Sequence, residues 1–184
     1  MPCPLRARAL ALVLVRSVGT AGAAAQCELQ KIRQDADGVF REFGRAVDVS
    51  LDTVLVGSSD SLGYSERPGG CTVFERDENA WVETANLVPS DLSSPDEYGY
   101  AVALANDEVW IGSPFHDDGG TRGSTYVFAY SAGSWSELQK VSSAAGSPGE
   151  RFGSSLAIAD GIAVVGAPAS GPLGAAYVFG AFGG

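Results

Sequence analysis

The stretch FGSSLAIADGIAVVGAP, residues 152–168, opens with an aromatic–glycine pair and closes with a Gly-Ala-Pro triplet. The same layout occurs twice earlier in this 184-residue chain, in residues 43–59 and 98–114. In each copy the first glycine of the triplet follows the glycine of the pair by 13 residues, and successive copies start 55 and 54 residues apart. Self-similarity at a fixed period of this length predicts a repeat architecture.

Each repeat divides into short segments with the composition of β-strands. The first segment alternates large with small or polar residues, and the second is almost continuously apolar, which predicts a strand buried on both faces. The third segment ends in Val-Phe, and the fourth begins at a Trp seven residues later. The segments are 46–49, 53–57, 73–74 and 81–87, then 101–104, 108–112, 127–128 and 135–141, and finally 155–158, 162–166 and 178–179.

The tetrapeptide Glu-Leu-Gln-Lys occurs at residues 28–31 and again at 137–140, inside the fourth segment of the second repeat. We therefore predict that residues 26–32 form a closing strand, equivalent to a fourth strand, while the last repeat lacks its own. Four-stranded units around an axis leave open edges until the ring closes. The chain is predicted to be all-β, with β-propeller blades of four antiparallel strands at 43–87 and 98–141 and an incomplete third blade at 152–184.

Three blades are fewer than the four to eight of a typical propeller. This deficit leaves three interpretations open: a fragment of a longer protein, an open array, or chains that associate. Two chains that exchange edge strands would form a six-bladed ring, so a homo-oligomer through edge-strand exchange is one expected partnership.

The three copies resemble the FG-GAP repeat, the blade unit of the β-propeller of integrin α-subunits. The residues that carry this resemblance are Phe43-Gly44 with Gly57-Ser58-Ser59, Tyr98-Gly99 with Gly112-Ser113-Pro114, and Phe152-Gly153 with Gly166-Ala167-Pro168. With the flanking strands, the resemblance covers residues 26–184 and is closest to a short-loop variety found in extracellular proteins. The kelch repeat shares only the Gly69-Gly70 feature, which later copies lack.

The resemblance implies an extracellular binding or adhesion surface and, in many members, a calcium ion bound between the first two strands of a blade. In this chain those connections are only two or three residues long, at 50–52, 106–107 and 160–161. Calcium takes six to eight oxygen ligands. We therefore expect no cofactor and no blade calcium.

The N-terminal residues 1–25 have the pattern of a signal peptide, with a basic start, a short apolar run and the small-residue site Ala23-Ala24-Ala25. The protein is therefore predicted to be secreted and extracellular. Without this segment the chain carries 9 basic and 22 acidic residues, a net charge of −13. Such a charge disfavours nucleic acid as a partner, and no later segment is apolar for long enough to insert into a membrane.

Two cysteines, Cys27 and Cys71, lie beyond the signal-peptide pattern. In an exported protein they either form one disulfide or stay as free thiols, and the sequence does not decide between the two, because the distance between their Cα atoms is not given by it.

The long connections between blades, and between second and third strands, are predicted to share one face, where a ligand would bind. Candidate ligand-binding residues are Tyr64, Arg67, Phe115, His116, Asp117, Asp118 and Arg122. We predict a non-catalytic binding or cell-adhesion module that presents these loops to a protein or glycan ligand. His116 with its two neighbouring carboxylates also suits a divalent metal, although a solvated acidic loop is the simpler interpretation.

Two alternatives to the binding module are a secreted hydrolase built on a propeller and a structural fragment of a larger FG-GAP protein. An enzyme is the weaker hypothesis, because nucleophilic hydrolysis needs a base beside an activated Ser or Cys, and a glycosidase needs two placed carboxylates. The sequence contains one histidine and no motif that sets out such a site. We therefore predict no catalytic residues.

Overall fold

The computed structural model describes residues 28–33, 42–59, 68–93, 95–117, 123–144 and 148–180. The chain divides into two units, residues 1–32 and 33–184. In the first unit, the described residues 28–32 have no regular secondary structure. The pairing of residues 26–32 with another sheet as a closing strand therefore stays a prediction. No helix that could cross a membrane occurs in the described part of the chain.

The described part of the second unit contains eleven β-strands and no helix. The strands are β1 (Phe43–Ser50), β2 (Thr53–Ser58), β3 (Gly70–Asp77), β4 (Ala80–Leu87), β5 (Ala101–Ala105), β6 (Glu108–Ser113), β7 (Ser124–Ser131), β8 (Ser134–Val141), β9 (Ser155–Ala159), β10 (Ile162–Ala167) and β11 (Ala175–Gly180). They form three antiparallel sheets in the orders β1-β2-β3-β4, β5-β6-β7-β8 and β9-β10-β11. This confirms the predicted all-β fold of partial propeller blades.

The third strand of each sheet extends beyond the Val-Phe pair that was predicted to end it. In the first sheet β3 continues to Asp77, because the turn to β4 lies at residues 78–79 rather than directly after Phe74. A register shift between Val73 and Phe74 marks a bulge in this hairpin, and the second sheet has the same shift between Val127 and Phe128.

Each sheet has a front face toward the preceding sheet and a rear face toward the following one. Successive side chains of a strand point to opposite faces, so in β6 Val109 and Ile111 lie on the front and Trp110 on the rear. Two hydrophobic cores result. The core between the first and second sheets includes Leu55, Cys71, Val73, Val109 and Ile111, and the core between the second and third includes Trp110, Val127, Phe152, Ala163 and Val165.

Burial of the second strand on both faces, which the sequence predicts for all three repeats, is complete only in the middle sheet. Every residue of β6 is buried, whereas in β10 buried and more exposed residues alternate. The physical reason is position in the array. Within the described residues the second sheet packs against a sheet on each side, while the third has a neighbour on its front face only.

The repeated motif holds each sheet together at one end. The amide of Gly99 donates to the carbonyl oxygen of Gly112 at 3.1 Å, and Gly153 donates to Gly166 at the same distance. These bonds explain why 13 residues separate the two glycines in every copy. The preceding aromatic side chain is fully buried in the second and third sheets, where Tyr98 packs edge-on against Tyr126.

The same glycines form the joint between neighbouring sheets. A methyl group added to Gly57 would collide with the carbonyl oxygen of Gly99, and one added to Gly112 would collide with that of Gly153. Gly99 and Gly153 themselves have φ angles of 85° and 90°, a conformation that residues with a Cβ rarely adopt. The aromatic–glycine pair of one sheet therefore rests on the triplet glycine of the sheet before it.

Candidate ligand-binding site on the long-loop face

The long connections of all three sheets lie at the same end of the strands. In antiparallel sheets whose order follows the chain, the connections from second to third strand and from fourth strand to the next sheet share one end. His116, after β6, contacts Asp96, which precedes β5, and so joins two of these connections directly. The opposite end carries tight turns at 51–52, 106–107 and 160–161.

A cleft of about 500 Å³ opens on this long-loop face beside the third sheet. We call it the Phe115 cleft. Its rim is formed by Tyr100, Pro114, Phe115 and Arg151, and its floor includes Ser155, Gly166, Ala175 and Ala176. The rim side chains come from the start of the second sheet, the β6–β7 connection and the β8–β9 connection, so three separate parts of the chain build the site.

Two arginine–aromatic pairs lie at the rim. The Arg151 guanidinium is 5.2 Å from the centre of the Phe115 ring, and that of Arg45 is 4.1 Å from the centre of the Tyr100 ring. Both arginines are exposed and both rings are partly exposed. An aromatic face attracts a guanidinium, which keeps its planar hydrogen-bond donors available to a second group. The rim can therefore stack a flat or apolar group while donating to an acceptor.

His116 lies next to the cleft in sequence but points into the protein. Its side chain is 5% exposed, and its Nδ1 atom is 2.9 Å from Oδ2 of Asp96, a side chain exposed by only 2%. The same carboxylate accepts a hydrogen bond of 2.7 Å from the Ser93 amide. The His116 ring also packs edge-on against Tyr126. These contacts place His116 in a buried polar cluster that ties the β4–β5 and β6–β7 connections together.

Asp91 extends this cluster toward solvent. Tyr126 donates its hydroxyl to one carboxylate oxygen at 2.9 Å, and the Lys140 ammonium lies 2.7 Å from the other. Partial burial acts to raise the pKa of Asp91, but the hydrogen bonds from Lys140 and Tyr126 outweigh it and leave that pKa below its usual value. Burial raises the pKa of Tyr98, at the base of the same sheet, well above its usual value.

The described residues contain no group of three or more His, Cys, Asp or Glu side chains placed to hold a metal ion. The predicted metal-free state of the blades stays a prediction, because Asp118, which would join His116 and the exposed Asp117 in the alternative metal site, lies outside the described residues.

Of the other predicted ligand-binding residues, Phe115 lies in the cleft, while Tyr64, Arg67 and Arg122 lie outside the described residues. Among the possible disulfide partners, Cys71 is a buried free thiol whose pKa is raised by burial, and Cys27 lies outside the described residues. The disulfide therefore also stays a prediction.

Sequence reasoning missed Arg45, Tyr100 and Arg151, because it searched the loops between strands. The sequence does carry a signal for them. Arg45 and Tyr100 occupy the same repeat position, two residues after the aromatic of the pair, and Arg151 directly precedes a pair. Because that pair lies at the long-loop end of its sheet, residues beside it are placed at the rim.

Comparison with known families supports the repeat assignment. The family model described as FG-GAP repeat matches residues 81–128 and 135–179, which together make up half of the chain. The chain belongs to the FG-GAP repeat family. Each matched segment of this FG-GAP protein runs from the fourth strand of one sheet to the third strand of the next, so the family unit spans a joint between sheets. No curated protein sequence matches the chain.

The buried position of His116 leads to a stability prediction. We expect His116→Ala to lower the free energy of unfolding by about 1–3 kcal/mol, because the buried Asp96 carboxylate loses a hydrogen-bond partner. Urea denaturation followed by circular dichroism measures the change. Thr84→Ala, at an exposed strand position, is the control and should shift stability by less than about 0.5 kcal/mol. Equal stability of the His116 variant and the parent would contradict the role assigned to the cluster.

Proposed function

We propose that this FG-GAP protein is a non-catalytic binding module of the adhesion type, which uses its long-loop face to hold a protein or glycan ligand. The observation that carries the proposal is the rim of the Phe115 cleft, where Tyr100 and Phe115 each lie beneath an exposed arginine. Aromatic residues and arginine are the side chains most enriched at interface positions that contribute strongly to binding.

The chemistry of the rim favours a ligand that presents an acceptor beside a flat or apolar surface. A sugar ring with a carboxylate, or an acidic peptide segment with a neighbouring apolar side chain, meets this description. The guanidinium of Arg151 would donate to the carboxylate in a paired geometry, and the Phe115 ring would pack against the carbon-rich part. Both ligand classes suit a module that works outside the cell.

Secretion is part of the same proposal. It is supported by the signal-peptide pattern of residues 1–25 and by the extracellular setting typical of FG-GAP repeats. The acidic composition disfavours nucleic acid as a partner. A homo-oligomer formed through edge-strand exchange is a separate proposal, because it involves the ends of the sheet array and does not require the cleft rim.

The binding proposal predicts that the processed protein binds members of an immobilised panel of acidic glycans and extracellular-matrix proteins. Phe115→Ala and Arg151→Gln should each weaken that binding at least about tenfold, as expected for residues near the centre of an interface. Leu138→Ala, on the outer strand β8, is the matched control and should leave affinity unchanged. Binding that is insensitive to both rim substitutions would place the ligand elsewhere and contradict the proposal.

A screen against glycosidase and esterase substrates tests the non-catalytic part. We expect no turnover above background. Turnover that is abolished by His116→Ala, or by loss of one loop carboxylate such as Asp117, would overturn the binding interpretation in favour of a hydrolase.

A further inference from the structure

Both ends of the array of sheets expose apolar side chains. On the front face of the first sheet, Val47 and Val49 are 65% and 61% exposed, and on the rear face of the third sheet, Ile162 and Val178 are 47% and 68% exposed. The equivalent positions of the second sheet, such as Val102 and Leu104 on the front and Val127 on the rear, are buried against neighbouring sheets. The two end faces are thus the two halves of one kind of interface, which the chain forms twice internally.

The glycines of the repeated motif show the same two unmatched halves. Gly99 and Gly153 lie against carbonyl oxygens of the preceding sheet, whereas among the described residues nothing comes within 4 Å of a Cβ built on Gly44. Conversely, Gly57 and Gly112 meet the glycine of the next sheet, while Gly166 meets only Ser155 of its own sheet. The first sheet therefore carries an aromatic–glycine pair without a seat, and the third carries a seat without a pair.

That seat is the floor of the Phe115 cleft. Gly166 corresponds in the repeat to Gly112, and Ala175 corresponds to Ser124, whose carbonyl oxygen lies 2.6 Å from a Cβ built on Gly153. Gly166 and Ala175 are two of the residues that line the floor. An aromatic–glycine pair placed there would reproduce the contact of Gly153 with the second sheet.

Strand β11 offers a third complementary feature. Within the described residues it pairs only with β10, so its other edge lacks the fourth strand that β4 and β8 supply in the other sheets. In the second sheet, Lys140 and Gln139 of the sequence Glu-Leu-Gln-Lys pair with Tyr126 and Val127 of β7. Residues 28–31 repeat this tetrapeptide and β11 repeats Tyr-Val-Phe. The repeat therefore predicts a register in which Gln30 lies opposite Val178.

We propose that two copies of this chain associate head to tail into a closed ring of six sheets. The rear face of the third sheet of each copy packs on the front face of the first sheet of the other, and the partner's Phe43-Gly44 occupies the seat at Gly166 and Ala175. Residues 28–31 of the partner add the fourth strand to β11. A head-to-tail interface forms a ring when its rotation closes, and six blades fall within the range of closed propellers. The proposal is independent of the ligand at the cleft rim.

The first test is the mass of the full chain in solution, measured by light scattering after size-exclusion chromatography. We expect the mass of two chains. Val47→Lys and Val178→Lys should each shift it to one chain, because the interface would bury an unpaired ammonium, and both positions are exposed enough that the single chain still folds. Leu138→Lys, at a 50% exposed position away from both end faces, is the control and should remain a dimer.

The second test is a disulfide cross-link that reports the register. In a background with Cys3 and Cys27 replaced by Ser, we expect Gln30→Cys with Val178→Cys to form a covalent dimer under mild oxidation. Val127→Cys with Gln139→Cys, which are paired in the second sheet, is the positive control and should close within one chain. Gln30→Cys with Ala176→Cys is displaced by two residues along β11, which puts the Cα atoms beyond disulfide range, and should not cross-link.

A two-chain mass, its loss in the end-face variants and an intermolecular Gln30–Val178 cross-link together support the proposal. A one-chain mass, or a cross-link that closes within a single chain, would show that the partner is not a second copy and would overturn it. An open-ended series of masses would show that the head-to-tail contact does not close after two copies, and would overturn the six-sheet ring. None of these results bears on whether Phe115 and Arg151 bind a ligand.

Discussion

Gly112→Val is expected to lower the free energy of unfolding by about 3 kcal/mol or more, a large part of the 5–15 kcal/mol that stabilises a typical domain. The added Cβ would collide with the carbonyl oxygen of Gly153, which is backbone and cannot rotate away. The Gly153 amide is also bonded to Gly166, so a shift of this peptide would disturb the hydrogen bond that closes the motif of the third sheet. Urea denaturation followed by circular dichroism measures the loss.

Gly180→Val is the matched control for this prediction. Gly180 is the last residue of β11, and no described atom lies within 4 Å of a Cβ built there. The same substitution should therefore change stability by less than about 1 kcal/mol, with a valine suited to a strand. If both glycine variants lose equal stability, the close approach of neighbouring sheets at Gly112 is not what requires glycine.

Trp110→Ala is expected to cost about 3–5 kcal/mol, the range measured for removal of large aromatic side chains from protein cores. Trp110 is 1% exposed and lies in the core between the second and third sheets, with its ring 5.8 Å from that of Phe179. The cavity would lie at the joint of two thin sheets, each of which contacts only its neighbours. Stacked units of this kind depend on their interfaces for stability.

The measurement for Trp110 is again the midpoint and slope of urea unfolding, compared with those of Leu138→Ala. Leu138 is half-exposed on the outer strand β8, so its truncation removes little buried surface and should cost less than about 1 kcal/mol. A cost at Trp110 as small as that at Leu138 would contradict the packing of the second sheet on the third.

The strands and their order were predictable from the sequence, because each repeat shows the period of two and the apolar segment that strands require, and three copies in phase remove the ambiguity of one. The ends of the third strands were not, since the hairpin turn at 78–79 comes three residues after Phe74. Nor was unequal burial of the second strands, which have similar composition but different neighbours in the array.

The candidate site was only partly predictable. Phe115 was identified from its loop, but His116, named for the same reason, proved to be buried against Asp96, twenty residues earlier in the chain. A polar residue in a loop is expected to face solvent unless a distant partner satisfies it, and that partner is not visible in local sequence. Arg45 and Arg151 were missed because their aromatic partners come from other connections and strands.

The sequence by itself determined the unit of this protein: the 13-residue spacing from Gly99 to Gly112 is a local hydrogen-bond distance, and the apolar alternation defines the two faces of each sheet. Only the tertiary structure decided what those faces meet. It placed Gly153 on Gly112, enclosed Trp110 between sheets, and left Val47 and Val178 exposed at the two ends of the array. The physical reason is that strand formation depends on neighbouring residues, whereas burial depends on which surface arrives opposite.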